Sequence, residues 1–336
     1  MILTESPIYS RIQDSVTEVC RLGVFDLRFE AIGSCCHLTF GATEDPARDF
    51  AAELLRWIAT LEGQCSPCSP GSSIGQVNNA AGHDWVPIDP IVEELFSLCD
   101  RWHFLSRGTF DPTVVPLLRL WNRHLGAIPE EDEIMAVRSL VGWRRLQRKP
   151  GLAFLPEPGM AIDVCRIAKE YAVDHIMEMA THHGISSAFV EFGHAVRIRG
   201  EAPSSQTRWS IGLVDPKNHA DYWAFIDGSN ISVGTAGDCT CTCQANSEQP
   251  RTPIVDVRSG FPVSNGCRSA TVVSPASCVL AGILSTSAFI LGSEEGLALL
   301  EETPEAEGCI LSIGAQHESR GFRRTLDPVD PRQKTA

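Results

Sequence analysis

The chain is short of positive charge. Its 336 residues carry 28 Lys and Arg against 42 Asp and Glu, a formal net charge of −14 with the histidines neutral. A surface of that sign repels phosphate, which excludes nucleic acid as a general partner. The one local basic run, Arg144, Arg145, Arg148 and Lys149, reads as a solvated helix end. A membrane-spanning segment is also missing. The longest apolar run, 278–291, is broken by Gly282 and by Ser285, Thr286 and Ser287, and it is too short to cross a bilayer. The opening MILTESPIYSRIQDS lacks the basic start and apolar core of a secretory signal, so the expected location is the cytoplasm. No segment repeats at a fixed period. What is plentiful is core material: 43% of residues are hydrophobic and 21% charged, enough for one large globular domain or two average ones. The thirteen cysteines are an odd and high count, and in a reducing compartment they read as free thiols rather than a disulfide framework.

The stretch 161–200 carries the clearest local pattern. Ala168, Ala172, His175, Ile176 and Met179 recur at helical spacing and share one face. Asp163 can cap the start of that helix, and Gly184 can end it. SSAFVEFG then reads as a buried strand stopped by Gly193, and RIRG as another. Lys169 lies early on the helix, where free amides and the dipole already attract anions.

Before this unit, VFDLRFEAIG and CHLTF predict strands, and residues 47–62 predict a helix with Phe50, Leu54, Trp57, Ile58 and Leu61 in one stripe. The segment CSPCSPGSSIGQVNNAAG reads as an irregular loop from its Ser, Pro, Gly and Asn content. Asp89-Pro90 starts a helix bearing Val92, Leu95, Phe96, Cys99 and Trp102. In FDPTVVPLLRLWN, two close prolines argue against a helix across the whole segment. After it, RWSIGLVDP, WAFIDGSNISVGTAGD, TPIVDVRSGFPV and SATVVSP are strand-rich. The stretch 276–292 is a helix apolar nearly all round, SEEGLALLEE a short amphipathic helix, and GCILSIG a last strand. Helices and strands mix without strict alternation, which predicts an α+β fold.

Six of these segments, in order, resemble the ApbE family of flavin transferases. DVCRIAKEYAVD is similar to the family's D-L-S-A-I-A-K-G-Y-A-V-D, and FVEFGHAVRIRG to its V-D-I-G-G-E-V-R-x-x-G. FDPTVVPLLRLWN resembles F-D-x-T-V-G-P-L-V-x-L-W, SSIGQVN resembles S-E-I-S-x-L-N, VGTAGD resembles T-S-G-D, and VDVRSGFPV resembles I-D-P-R-T-G-x-P-V. The resemblance implies an ApbE-like domain at 29–314, of two related α/β halves with the ligand cleft between them. It leaves 1–28 as an N-terminal extension and 315–336 as a disordered tail. It also implies an activity: FMN is moved from FAD to a Thr or Ser hydroxyl of an acceptor protein, and AMP leaves. Mg²⁺ would neutralise the pyrophosphate.

Residue by residue, the resemblance puts Ser73, Asn78, Asp111 and Thr113 on flavin-side loops. Asp163, Lys169 and Gly193 fall at the pyrophosphate end, and Thr235, Ala236, Gly237 and Asp238 in a nucleotide-binding turn. Asp256, Arg258 and Gly260 shape the loop facing the reacting phosphate, and Thr286 is a metal ligand. The candidate catalytic groups are Asp256, Lys169 and His194.

Five positions depart from the family pattern. Gly282 stands where the family's A-D-A-L-A-T carries a metal-binding Asp, and glycine offers no hard oxygen from a side chain. Pro253 replaces a histidine of H-H-I-I-D and cannot move a proton. His194, Glu170 and Val257 replace Gly, Gly and Pro. Three functional readings follow: a flavin transferase using FAD, a protein that binds FAD or another nucleotide without transferring it, and a metal or redox protein using its cysteines. For the third, Cys35, Cys36, Cys65, Cys68, Cys165, Cys239, Cys241 and Cys243 fall near the implied cleft, though their spacing is no standard zinc pattern.

Overall fold

The computed structural model describes residues 6–124, 127–203, 208–218, 220–237, 254–324 and 326–327. In chain order the elements are α1 (Pro7–Asp14), β1 (Thr17–Arg21), β2 (Val24–Ala31), β3 (Ser34–Gly41), α2 (Glu44–Cys65), α3 (Ser73–Asn79), β4 (Val86–Pro87), α4 (Pro90–Leu105), α5 (Val115–Arg123) and α6 (Glu131–Arg138). They continue with β5 (Gln147–Lys149), β6 (Leu152–Phe154), α7 (Cys165–His182), β7 (Ala188–Phe192), β8 (Ala195–Arg199), β9 (Trp209–Val214), β10 (Tyr222–Gly228) and β11 (Asn230–Gly237). The last are β12 (Val255–Asp256), β13 (Phe261–Pro262), β14 (Cys267–Ser274), α8 (Cys278–Glu302), β15 (Glu307–Ser312), β16 (Ala315–Glu318) and β17 (Leu326–Asp327). The fold is α+β, and every paired strand is antiparallel.

The chain divides into two units. The first comprises residues 1–58, 169–246 and 266–336, and the second 59–168 and 247–265.

The first unit is built on a nine-stranded sheet in the order β1-β2-β3-β7-β8-β11-β14-β15-β16. Its first hairpins turn through Leu22-Gly23 and Ile32-Gly33, with positive φ at both positions of each pair, the geometry that matches strand twist. Successive strand residues point to opposite faces, and β11 shows what each face meets. Val233 joins a cluster with Val196, Ile198, Ile211, Leu213, Ile226 and Phe322, beneath the small sheet β17-β10-β9. Gly234 faces α8, and a Cβ there would lie 2.6 Å from the Gly282 amide nitrogen. Strand and helix therefore touch backbone to backbone.

Helix α8 starts under two caps. Ser277 accepts from Leu280 N, and the Asp174 carboxylate on α7 accepts from the amides of Cys278 (2.8 Å) and Val279 (3.1 Å). The helix bends at Gly292 (φ 86°), which joins the apolar and amphipathic helices read from the sequence into one 25-residue element. That corrects the estimate of its length. By length and composition α8 could cross a membrane, but 67% of its apolar window is buried inside the protein, as a core helix requires.

The second unit holds α3 to α6 and the small sheets β4-β6-β5 and β12-β13. Ile74, Val92, Leu95, Phe96, Leu117 and Trp143 are buried there. Asp89 caps α4, with Pro90 in its first turn, as expected.

Three sequence expectations need correction. The stretch around SSIGQVN is not all loop: α3 forms there because Ser72 accepts from Gly75 N and offers the helix a start. The extension boundary at 28 falls inside β2, and β1 pairs with β2 from Thr17 to Arg21. The tail is ordered past 314, since β16 pairs with β15 and Leu326 pairs with Ile226. These last pairings run through backbone groups, which polar residues supply as well as apolar ones.

Candidate functional site

In the second unit the predicted residues spend their side chains on shaping loops. Asn78 exchanges two hydrogen bonds with Ile162: its Nδ2 donates to the carbonyl (2.9 Å) and its Oδ1 accepts from the amide (2.7 Å). That fixes the segment leading into α7. Ser73 donates to Gln64 Oε1 and accepts from Asp89 N, tying α3 to the cap of α4. Asp111 is buried and accepts from the amide and hydroxyl of Thr113 and from Trp143 N, while Thr113 accepts from Gly142 N. Asp163 accepts from Cys165 N (2.7 Å), the cap read from the sequence, and its own amide donates to Pro112 O. The structure thus brings Asn78, Asp111, Thr113 and Asp163 into one hydrogen-bonded set of loops.

Asp256 and Arg258 form a separate turn. The Asp256 carboxylate accepts from Arg258 N and, through both oxygens, from its guanidinium. Gly260 closes the turn with φ +83°, where a Cβ would lie 2.9 Å from Ile134, and Trp121 Nε1 donates to its carbonyl. A carboxylate paired in this way holds the Arg258 side chain in its turn.

In the first unit, Lys169 lies four residues into α7. It is half-buried and makes no hydrogen bond or ion pair among the described residues. Gly193 (φ +63°) and the exposed His194 form the two-residue turn between β7 and β8, and the His194 carbonyl accepts from Thr235 N. Gly193, His194 and Thr235 line one cavity of about 700 Å³, together with Arg28, His37 and Glu191. The Thr235 hydroxyl lies 3.0 Å from that of Thr271. Ala236 is buried, and Gly237 lets β11 meet β14, since a Cβ there would fall 2.3 Å from Arg268 O. Asp238, Pro253 and Cys239, Cys241 and Cys243 lie outside the described residues.

A second cluster in this unit was not assembled by sequence reasoning. Glu170, on α7, is only 8% exposed and packs on Gly282 of α8. A Cβ at 282 would lie 2.5 Å from Glu170 Oε1 and Cγ. The carboxylate therefore fills the space a side chain at 282 would take. Thr286, one turn on and on the same face of α8, is buried and donates to the Gly282 carbonyl (3.0 Å). The signal was present in the sequence as two departures, Glu170 and Gly282, but nothing local links them.

The buried cysteines read as structural. Cys65 and Cys309 are pushed up to about 12 by burial, with carboxylates adding to the effect, and burial raises Cys99 and Cys278 well above the ordinary thiol value. Among the described residues no group of three His, Cys, Asp or Glu is placed to hold a metal ion. Among the described residues nine cysteines are free, and Cys35 is disulfide-bonded, which corrects the expectation that all are thiols.

Comparisons with known proteins agree with these segments. The sequence model of the ApbE family matches residues 32–310. An FAD:protein FMN transferase of Treponema pallidum is 25% identical over 326 residues, covering 90% of this chain and 84% of that protein. One of Klebsiella pneumoniae is 28% identical over 269 residues, covering 78% and 82%. Among solved structures, an ApbE protein of Thermotoga maritima superposes with a TM-score of 0.78 at 25% identity, covering 91% of this chain and all of that one. The flavin transferase ApbE of Vibrio cholerae gives 0.77 at 20% identity, a likeness of fold, over 93% of this chain and all of that one.

Proposed function

The chain belongs to the ApbE family, and from that premise we propose that it is a transferase that moves FMN from FAD to a Ser or Thr hydroxyl of an acceptor protein. The observation that carries this reading is Lys169. It is a half-buried cation one turn into a helix whose start is capped by Asp163, and no described residue neutralises it. Such a group suits a pyrophosphate, because phosphoryl transfer depends on positioning and on neutralising charge at the transferring group.

The acceptor hydroxyl oxygen bonds to the phosphorus on the FMN side of the pyrophosphate. The bond from that phosphorus to the bridging oxygen breaks, AMP leaves with that oxygen, and the hydroxyl proton passes to a base. In the proposed assignment Asp256 holds Arg258 in its loop, and His194, exposed at the β7–β8 turn, is the titratable group for proton transfer. Asn78, Asp111 and Thr113 keep the flavin-side loops in shape.

Magnesium, implied by the family, needs hard oxygen donors. Gly282 has no side chain to give, but the Glu170 carboxylate and the Thr286 hydroxyl share that face of α8. One carboxylate with a hydroxyl fits an ion that completes its shell with water and phosphate oxygens. When bound, the ion would offset negative charge on the pyrophosphate.

The test is incubation of the protein with FAD, Mg²⁺ and a flavin-accepting peptide, following AMP release and peptide mass together. An FMN mass increment with matching AMP is the expected result. FAD bound but left intact would refute transfer and leave a binding protein.

A further inference from the structure

We propose that in this chain the carboxylate ligand of the divalent cation is Glu170 on α7, relocated from the position that Gly282 occupies on α8. The inference deepens the flavin-transfer reading and rests on it.

Three observations converge. First, positions 170 and 282 compete for one space. A Cβ at 282 would sit 2.5 Å from Glu170 Cγ and Oε1 and 2.8 Å from its Cδ, so with Glu170 as placed its side chain takes the space that one at 282 would enter, and a side chain at 282 would require it to shift. Second, the occupant is acidic. Burying an ionisable carboxyl in a seam between helices is costly, and an apolar side chain would fill the same volume more favourably. Third, the carboxylate lies where it can act with named neighbours. Thr286 follows Gly282 by one turn on the same face, and Lys169 immediately precedes Glu170. Relative to the pattern quoted above, the chain has exchanged glycine and acid across one contact. The charge and its place are kept, while the helix that carries it changes.

The exchange makes a specific reciprocal prediction. Mn²⁺, whose free form is counted by electron paramagnetic resonance, is titrated into the full-length protein with and without FAD. Thermal unfolding in chelator reports folding, and quenching of flavin fluorescence reports FAD binding. Wild type is expected to bind one Mn²⁺, and Glu170→Gln to bind it at least about tenfold more weakly. The double variant Glu170→Gly/Gly282→Asp is expected to return to within about threefold of wild type. Gly282→Asp alone is expected to unfold at lower temperature, because the new side chain meets Glu170. Unchanged Mn²⁺ binding in Glu170→Gln would overturn the inference. So would a folded double variant that does not recover, or a wild type that binds FAD but no Mn²⁺. Those outcomes leave the flavin reading standing, whereas a wild type that binds no FAD removes that reading first. If Glu170→Gln fails to fold, the double variant decides the question alone.

Discussion

The close backbone approach between β11 and α8 can be measured by filling it. In Gly234→Ala the new Cβ would lie 2.6 Å from both Ala281 C and Gly282 N, and 2.7 Å from Ala281 O. All three are backbone atoms, so no side chain can turn aside. Carbon contacts are comfortable only at about 3.5–4.0 Å, so strand and helix must part by about an ångström. Overpacking of this kind costs about 1–3 kcal/mol, and the rigidity of both partners puts this site near 3. For a domain of this size that is a fall in Tm of about 6–12 °C. Gly266→Ala is the control. Its φ is +79° but nothing lies within 4 Å, so it pays only the left-handed strain of about 1–2 kcal/mol. Both variants would be followed by calorimetry and by urea unfolding. A Gly234→Ala protein that loses no more than Gly266→Ala would refute the backbone contact between β11 and α8.

Two further outcomes follow from the side chains. Asp111→Ala strands the buried donors of Thr113 and Trp143 and should lower stability by about 2–4 kcal/mol in urea unfolding, with Asp111→Asn losing less. His37 titrates in a pair. Glu191 raises it above its ordinary 6.5, burial opposes this, and Asp26, 2.7 Å from Nε2, adds to the rise. For Asp26, burial pushes upward, but His37 and Arg28 together hold it below 3.8. The His37 contribution is therefore complete below pH 6.5 and lost as pH rises through the higher folded value. That of Asp26 is present above 3.8 and lost as pH falls through the lower one. With side chains 27% and 34% exposed, the pair is worth less than about 1 kcal/mol. His37→Gln should differ from wild type between about pH 4 and 6.5 and converge with it at alkaline pH in denaturant midpoints.

What the sequence showed plainly was local. Asp163 and Gly184 bound α7 because a cap and a left-handed residue act within a few residues of the helix end. The stripe Phe50, Leu54, Ile58 and Leu61 is buried as its spacing requires, and Trp57 stacks on His175 at 4.1 Å. The α3 helix was hidden by its composition, because Ser, Gly and Asn favour loops until Ser72 and a tight fit at Gly75 select otherwise. The motifs picked out loops that the structure ties together by hydrogen bonds, but not what their side chains do there. Asp111 and Asn78 looked like groups for a ligand, and their side chains already hydrogen-bond within the loops themselves. The pairing of Glu170 with Gly282 was illegible for another reason: it exists only once two helices pack, and no periodicity encodes that.

The order of segments in the sheet unit also constrains how the chain is made. Strand β3 pairs with β2 at once but gains its second neighbour, β7, only after the second unit apart from 247–265 has been synthesised. Helix α8 rests on β11 and β14, which precede it, and on β15, which follows it. Its apolar surface therefore emerges from the ribosome before its last covering strand exists. Unit one cannot close strand by strand during translation. Until β15 arrives it leaves part of the apolar α8 surface uncovered, a condition that favours aggregation of incomplete chains. A chain cut before β15 would display α8 uncovered and would aggregate rather than fold in part.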